Sequence, residues 1–225
     1  MPLSAKNKIP DLAPTLGIFG GSFDPIHIGH LHGAWEITQQ LPLDVLHFIP
    51  CAQSPHKGAL PQASAEQRIE MLSRAIEDQP RWRVDDREII RGGNSYTIDT
   101  LKSLRAEYPE HHLCLIIGMD VAAGLLQWHR WQEILSHTHL IITTRPEYTL
   151  EETPWVLELK RRTLQDPQQL RTQKAGGVIW QKITSLAISA TRIRELCAAN
   201  TAPPFLVPSA IFEYIQHQQL YRKNS

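Results

Sequence analysis

The chain has almost no excess charge: lysine plus arginine and aspartate plus glutamate number 23 each. A balanced chain casts no global field for a nucleic-acid backbone, so nucleic acid is not an expected partner and any anion site must be local. Its eleven histidines add positive charge only as pH falls toward their titration range. Cysteine is scarce. Cys51, Cys114 and Cys197 lie far apart, form no Cys-x-x-Cys pair, and their odd number argues against a disulfide framework. Buried free thiols in a reducing compartment are expected instead. No apolar run approaches the roughly 18 residues of a membrane span. Residues 1–14 are polar, carry three prolines and lack the apolar core of a signal peptide. The expected location is therefore the cytoplasm, with no membrane partner. Two familiar phosphate motifs are also missing. There is no Gly-x-x-x-x-Gly-Lys-Ser/Thr loop, and Gly17, Gly20 and Gly21 do not fit Gly-x-Gly-x-x-Gly, which disfavours a hydride-transfer dehydrogenase.

What is there begins with Gly17 to His30. An apolar strand from Thr15 runs through Gly20-Gly21-Ser22-Phe23-Asp24-Pro25 into His27-Ile28-Gly29-His30. Leu31, Ala34, Trp35, Thr38 and Leu41 then fall at helical spacing. Strand, glycine turn, two histidines and helix place backbone N–H groups and two imidazoles at a helix N-terminus, which suits a polyphosphate. A bare His-x-Gly-His is more often a pair of helix-start histidines with no ligand. Here the preceding strand, the Gly-Gly-Ser turn and Pro25 favour the phosphate reading.

The same strand–helix alternation continues. Strands are expected at Asp44–Pro50, His112–Gly118, His139–Thr143 and Val178–Ile183, with extended structure over Trp82–Ile90. Helices are expected at Gly29–Gln40, after Ser64 with Gln67 completing a capping box, over Tyr96–Tyr108, from Met119-Asp120, over Ala190–Ala199 and over Ser209–Gln219. Such alternation predicts an α/β, Rossmann-like, doubly wound parallel sheet with helices on both faces and a C-terminal helical part. A chain of 225 residues fits a single domain, 1–225, with 1–13 a loose lead-in. The charged stretch 147–177 reads as a surface insertion containing a helix near Trp155–Leu164. In such sheets ligands sit beyond the carboxyl ends of the strands, where 20–30, 53–58, 118–120 and 184–194 all fall.

A second phosphate position is indicated by Ile188-Ser189-Ala190-Thr191-Arg192-Ile193-Arg194. Ser189 caps a helix, and an arginine in the first turn opposes the helix dipole unless an anion lies there. A plain serine cap with solvated arginines is an equal alternative for this run alone. Asp85-Asp86 with Arg87-Glu88 reads as an exposed charged turn. His111-His112 and His137-x-His139 lack a third metal ligand at suitable spacing and read as solvated or strand-edge histidines.

Taken together, Gly20–His30 and Ile188–Arg194 resemble the HIGH-motif nucleotidyltransferase superfamily. The aminoacyl-tRNA synthetases that share the motif are longer and carry a Lys-Met-Ser-Lys-Ser type loop, absent here. The chain is most similar to the bacterial nicotinate-nucleotide adenylyltransferases. That similarity lies in Gly-Gly-Ser-Phe-Asp-Pro-Ile-His, Pro55-His56-Lys57, Ser95-Tyr96-Thr97-Ile98-Asp99-Thr100-Leu101, Gly118-Met119-Asp120, Trp128 and the tail from Leu206-Val207-Pro208 to Tyr221.

The resemblance implies adenylyl transfer from ATP to nicotinate mononucleotide, giving deamido-NAD and pyrophosphate by direct in-line attack, with Mg²⁺ carried mainly by ATP. It implies that His27 and His30 contact the phosphates in transfer as the catalytic pair. Gly20, Gly21, Ser22 and Phe23 would line the nucleotide, Gly118 and Asp120 the ribose, and Ser189, Thr191 and Arg194 the triphosphate. Lys57 would reach the mononucleotide phosphate; Tyr96, Thr97, Trp128 and His129 would form the pyridine pocket. No protein metal ligand is implied. Core packing is the plainer role for Trp128, and helix-start polarity for Thr97. His129 departs from the tyrosine of the most readily aligned member of that family, which leaves a backbone contact and puts a side-chain role, and acid-over-amide discrimination, in question. Another HIGH-motif enzyme such as pantetheine-phosphate adenylyltransferase, or a non-catalytic nucleotide-binding module, are the alternatives. Self-association is left open.

Overall fold

A computed structural model describes residues 12–55, 60–144, 151–201 and 203–222. Strand β1 (Thr15–Gly21) leads into helix α1 (Ile28–Gln40), then β2 (Val45–Pro50), α2 (Ala65–Ile76), β3 (Trp82–Val84) and the short α3 (Arg87–Arg91). The second half comprises α4 (Thr97–Glu107), β4 (His112–Gly118), α5 (Met119–Ala123), α6 (Trp131–His137), β5 (His139–Thr144), α7 (Pro154–Arg161), α8 (Gln169–Thr172) and β6 (Val178–Lys182). Two helices, α9 (Ala190–Ala198) and α10 (Ser209–His217), close the chain.

The six strands form one parallel sheet in the order β3-β2-β1-β4-β5-β6. Period-two side-chain alternation divides its apolar residues between two cores. Leu16, Ile18, Leu113, Leu115, Ile117, Leu140 and Ile142 pack with Leu101 and Leu104 of α4 and Ile134 of α6. Cys114, Ile116 and Ile141 pack on the opposite side with Ala34 and Ile37 of α1, Met71 and Leu72 of α2, Ile193 of α9 and Ile211 of α10. Helices therefore cover both faces, as expected of a doubly wound sheet. The strand order reverses between β1 and β4, so their carboxyl ends, Gly20-Gly21 and Gly118, flank the crevice where such folds take ligands. Among the described residues no helix is long and apolar enough to cross a membrane.

Several expectations are corrected. Trp82–Ile90 is not extended throughout, and of its charged turn only Asp86 is exposed. After β3 the Asp85 carboxylate accepts from the Arg87 backbone N–H at 3.1 Å and turns the chain into α3. Asp85 also bonds His47 Nδ1 at 2.9 Å and Arg87 Nε at 2.8 Å. Burial raises the Asp85 pKa, but the hydrogen bonds from His47 and Arg87 outweigh it and hold the carboxyl below its usual range. Glu88 is buried, while Ile90 on the same short helix is 76% exposed. The described part of 147–177 has an inward face as well as a surface one. Thr153 caps α7, and Trp155, Val156, Leu159 and Leu170 are buried, with Trp155 Nε1 donating to Ala122 O at 3.1 Å. On α1 the buried residues are Gly33, Ala34, Ile37 and Thr38, and Trp35 stands on the rim, 49% exposed.

His139 is neither solvated nor at a sheet edge. It is fully buried on β5, bonding Gln173 O at 2.6 Å through Nε2 and accepting from Gly177 N at 3.0 Å through Nδ1, so it fastens the turn before β6. His112 bonds Leu170 O at 2.9 Å in the same way. The lead-in through residue 11, and His56 and Lys57, lie outside the described residues.

Candidate active site

β1 delivers Gly20 and Gly21 to the crevice, and the Ser22–Ile26 turn delivers His27 as N-cap of α1. His27 Nδ1 accepts from His30 N at 3.4 Å, and His30 Nδ1 accepts from His27 N at 3.3 Å. This is a capping box built from two imidazoles instead of a serine and a glutamate. It sets the His27 tautomer: with Nδ1 accepting, the neutral ring carries its proton on Nε2. Burial pushes the His27 pKa down to about 4, so this imidazole is neutral at physiological pH. Phe23 packs edge-on against His30, with ring centroids 5.2 Å apart. A Cβ on Gly29 would lie 3.1 Å from His27 Nδ1 and 3.6 Å from Ile188 Cβ, so the chain entering α9 passes directly beside the histidine pair.

At the start of α9, Ser189 Oγ accepts from Arg192 N at 3.2 Å, the expected cap. Arg194 turns inward. Its Nη1 donates to Asp24 O at 2.7 Å and its Nη2 to Thr191 Oγ1 at 3.2 Å. Arg192 bonds Glu195 on the outer face at 3.3 Å. Across the crevice, Asp120 is exposed in the first turn of α5, and its Oδ1 lies 2.6 Å from where a Gly118 Cβ would stand. Any side chain at 118 would displace that carboxylate.

The expected pyridine residues gather at one place. From Gly21, whose carbonyl accepts Cys51 N at 2.9 Å, the loop after β2 runs to Gln53. There Gln53 O accepts from Ser95 N at 2.8 Å, and Ser95 Oγ accepts from Ala52 N at 2.9 Å. This joins the histidine end of β1 to the start of α4, where Tyr96 and Thr97 are half-buried. The Tyr96 and His129 rings pack 4.4 Å apart, so His129 adds a flat face beside Tyr96. Trp128 is half-buried against the core beneath α4 and α6, and it is joined to the turn before it by Trp128 N to Leu125 O at 3.0 Å.

Three residues that sequence reasoning missed support this arrangement. Arg68, 2% exposed on α2, donates through Nη1 to Ser22 O at 3.0 Å and Cys51 O at 2.8 Å. Asp24, 4% exposed, receives Gln62 N at 2.8 Å, Ala63 N at 3.0 Å and Tyr221 Oη at 2.8 Å. Glu88 accepts from Thr100 Oγ1 at 2.6 Å and from Ser95, and burial raises its pKa. The signal available was a charged residue inside an apolar turn, Phe23-Asp24-Pro25, but its partners are remote in sequence. Among the described residues no group of three His, Cys, Asp or Glu side chains could hold a metal.

The family model described as cytidylyltransferase-like matches residues 18–196. A probable nicotinate-nucleotide adenylyltransferase of Cellvibrio japonicus is 44% identical over 212 residues, spanning 94% of this chain and all of that relative. One from Pseudomonas aeruginosa is 44% identical over 216 residues, spanning 94% and 99%. Among solved structures, Plasmodium falciparum nicotinic acid mononucleotide adenylyltransferase complexed with NaAD is similar at a TM-score of 0.71, covering 92% of this chain and 97% of that one at 18% identity.

Proposed function

The chain belongs to the cytidylyltransferase-like family and, within it, to the nicotinate-nucleotide adenylyltransferases, and from that membership we propose that it transfers the adenylyl group of ATP to nicotinate mononucleotide. The product is deamido-NAD, a step in NAD biosynthesis. The mononucleotide's 5′-phosphate oxygen attacks the α-phosphorus in line. The bond from that phosphorus to the bridging oxygen breaks, and pyrophosphate leaves with the electron pair. A phosphate oxygen is already ionised at neutral pH, so no protein nucleophile is required and the work is orientation and charge stabilisation.

The observation that carries this reading is the stacked histidine pair with both Nε2–H groups fixed as donors at the sheet's switch point. Donors held in place stabilise charge as it builds on the transferring phosphoryl oxygens, without a proton having to move. Gly20, Gly21, Ser22 and Phe23 border the nucleotide, and Gly118 and Asp120 take the ribose. Ser189 and Thr191 hold the triphosphate end. Arg194 adds positive charge there while bonded to Asp24, and so acts less as a free clamp than the family motif suggests. Lys57 reaches the mononucleotide phosphate. Trp128 with the Tyr96–His129 face receives the flat ring, and Thr97 its carboxylate.

Mg²⁺ enters as a companion of ATP. The donors gathered here are imidazole N–H, guanidinium and backbone amide, which fits an ion held by the nucleotide's own oxygens and water. When bound it neutralises charge on the departing pyrophosphate.

Pyrophosphate release measured with ATP and nicotinate mononucleotide, nicotinamide mononucleotide or pantetheine phosphate tests the assignment. Release is expected with the first acceptor above the other two. Folded protein that releases none with either mononucleotide sinks it.

A further inference from the structure

We propose that Glu88 is a positioning residue for this reaction: through the hydroxyl of Ser95 it holds the start of α4, and with it Tyr96 and Thr97, in place for the pyridine ring. This rests on the function proposed above.

Helix α4 packs in the core that Trp128 joins, on the face of the sheet opposite α9. Its N-cap is Tyr96, whose ring lies 4.4 Å from that of His129. The chain reaches it from α3 through Gly92 and Gly93, with φ of 69° and 65°. A Cβ on either glycine would meet no atom within 4 Å, so packing at these positions does not hold the turn. The Tyr96 side chain makes no cap bond either.

Polar bonds at Ser95 do the holding. Its N–H donates to Gln53 O at 2.8 Å, and its Oγ accepts from Ala52 N at 2.9 Å. Its hydroxyl proton goes to the buried Glu88 carboxylate on α3. Glu88 also accepts from Thr100 Oγ1 at 2.6 Å, and that hydroxyl accepts Arg91 Nη2 at 3.1 Å. One carboxylate therefore ties α3 to α4 on both sides of Tyr96 and Thr97: just before them at Ser95, and further along the helix at Thr100. A hydroxyl that accepts a peptide N–H and donates to a charged acceptor is fixed in orientation; without that acceptor it can rotate. Ser95 precedes Tyr96 directly, so slack at its hydroxyl is passed to the residues that face the ring.

Three substitutions separate this role from a general contribution to folding. Glu88→Met keeps an unbranched side chain that suits a helix and a core, and removes both acceptor oxygens. Ser95→Ala removes the hydroxyl that links Glu88 to the start of α4. Thr100→Val removes the other hydroxyl and leaves Ser95 on the carboxylate.

Steady-state kinetics and thermal unfolding of the full chain with these variants test the proposal. Glu88→Met should raise KM for nicotinate mononucleotide by about tenfold and KM for ATP by less than about threefold, the scale of one charge-assisted hydrogen bond. Ser95→Ala should show the same split. Glu88→Met added to Ser95→Ala should raise KM no further, because two residues acting through one bond do not add. Thr100→Val should lower the melting temperature with both KM values within about twofold of wild type. Unchanged KM values in Glu88→Met, an equal rise for both substrates, rises that multiply in the double variant, or the same split in Thr100→Val would overturn the positioning role. If Glu88→Met does not fold, Glu88→Asp, whose carboxylate stops one methylene short of both hydroxyls, goes through the same cycle and is read in the same way. A wild-type chain that releases no pyrophosphate would sink the proposed function, and this role with it. An active wild type whose variants show no KM split sinks only the role of Glu88.

Discussion

The imidazole rings of His27 and His30 stack with centroids 3.6 Å apart, and each accepts the other's backbone N–H through Nδ1. One pair of side chains thus does two jobs. The Nδ1 atoms close the first turn of α1, and the neutral His27 ring carries its proton on Nε2. A substitution that keeps the first job and removes the second separates fold from chemistry.

His27→Asn is that substitution. Asparagine is a good N-cap, and its amide oxygen can take the His30 N–H that Nδ1 now accepts. The Nε2–H donor has no counterpart in the shorter side chain. The expected result is a kcat lower by about 10²–10³, the scale of a lost transition-state donor. Far-ultraviolet circular dichroism should stay that of the wild type. A variant at near wild-type rate would remove His27 from the catalytic pair.

The low pKa of His27 also sets a pH dependence. Its folded value is about 4, below the ordinary histidine value of 6.5, because burial disfavours the charged ring. Between those values the unfolded chain binds more protons than the folded one, so stability rises with pH. The His27 contribution is complete above about pH 6.5 and is lost as pH falls toward about 4. Glu88 runs the other way, because burial raises its pKa and its neutral form is favoured in the fold. Urea midpoints of wild type and His27→Asn compared across this window cancel the Glu88 effect. The wild type should lose more stability than the variant as pH falls, and parallel curves would show that burial does not hold His27 neutral.

Trp128 gives a third expectation. It is half-buried against the α4–α6 core and adjoins the His129 ring that faces Tyr96. Trp128→Ala should raise KM for nicotinate mononucleotide more than KM for ATP, while Trp128→Phe restores most of the difference by keeping a flat apolar face. An equal rise for both substrates would mean that only its packing matters.

The sheet, the glycine turn and the histidine pair are legible in the sequence because their signals are local. The continuous apolar run of β4 and the Ser64–Gln67 box are both local features of a few neighbouring residues. Asp24 escaped because its partners at Gln62, Ala63, Arg194 and Tyr221 lie 38 to 197 residues distant. Glu88 and Ile90 reverse the usual polarity: the acid is buried because Thr100 and Ser95 bond it, and the isoleucine faces solvent. In 151–177 the buried Trp155, Val156, Leu159 and Leu170 are diluted by charged residues that form outer ion pairs, such as Glu158 with Arg162 at 2.8 Å, so the composition hides the inward face. The resemblance gives Arg194 to the triphosphate by its place in the motif, and no local signal points to a second neighbour. The structure supplies the carboxylate and carbonyl of Asp24, an acceptor that only the fold brings near.

Gly29→Ala tests how tightly the histidine pair is held. Within a helix, alanine is favoured over glycine by roughly 0.5–1 kcal/mol, so propensity alone predicts a slightly more stable protein. The added Cβ, however, would stand 3.1 Å from His27 Nδ1 and 3.2 Å from its Cε1, closer than a relaxed contact. His27 is 5% exposed and stacked on His30, so its ring can yield only by tilting, which redirects Nε2–H. Misdirecting a preorganised donor by a fraction of an ångström costs rate rather than stability. The variant should therefore melt at or slightly above the wild-type temperature while kcat falls by about tenfold or more. Wild-type kcat in Gly29→Ala would mean that the ring moves freely, and that the capping box does not fix the donor as argued here.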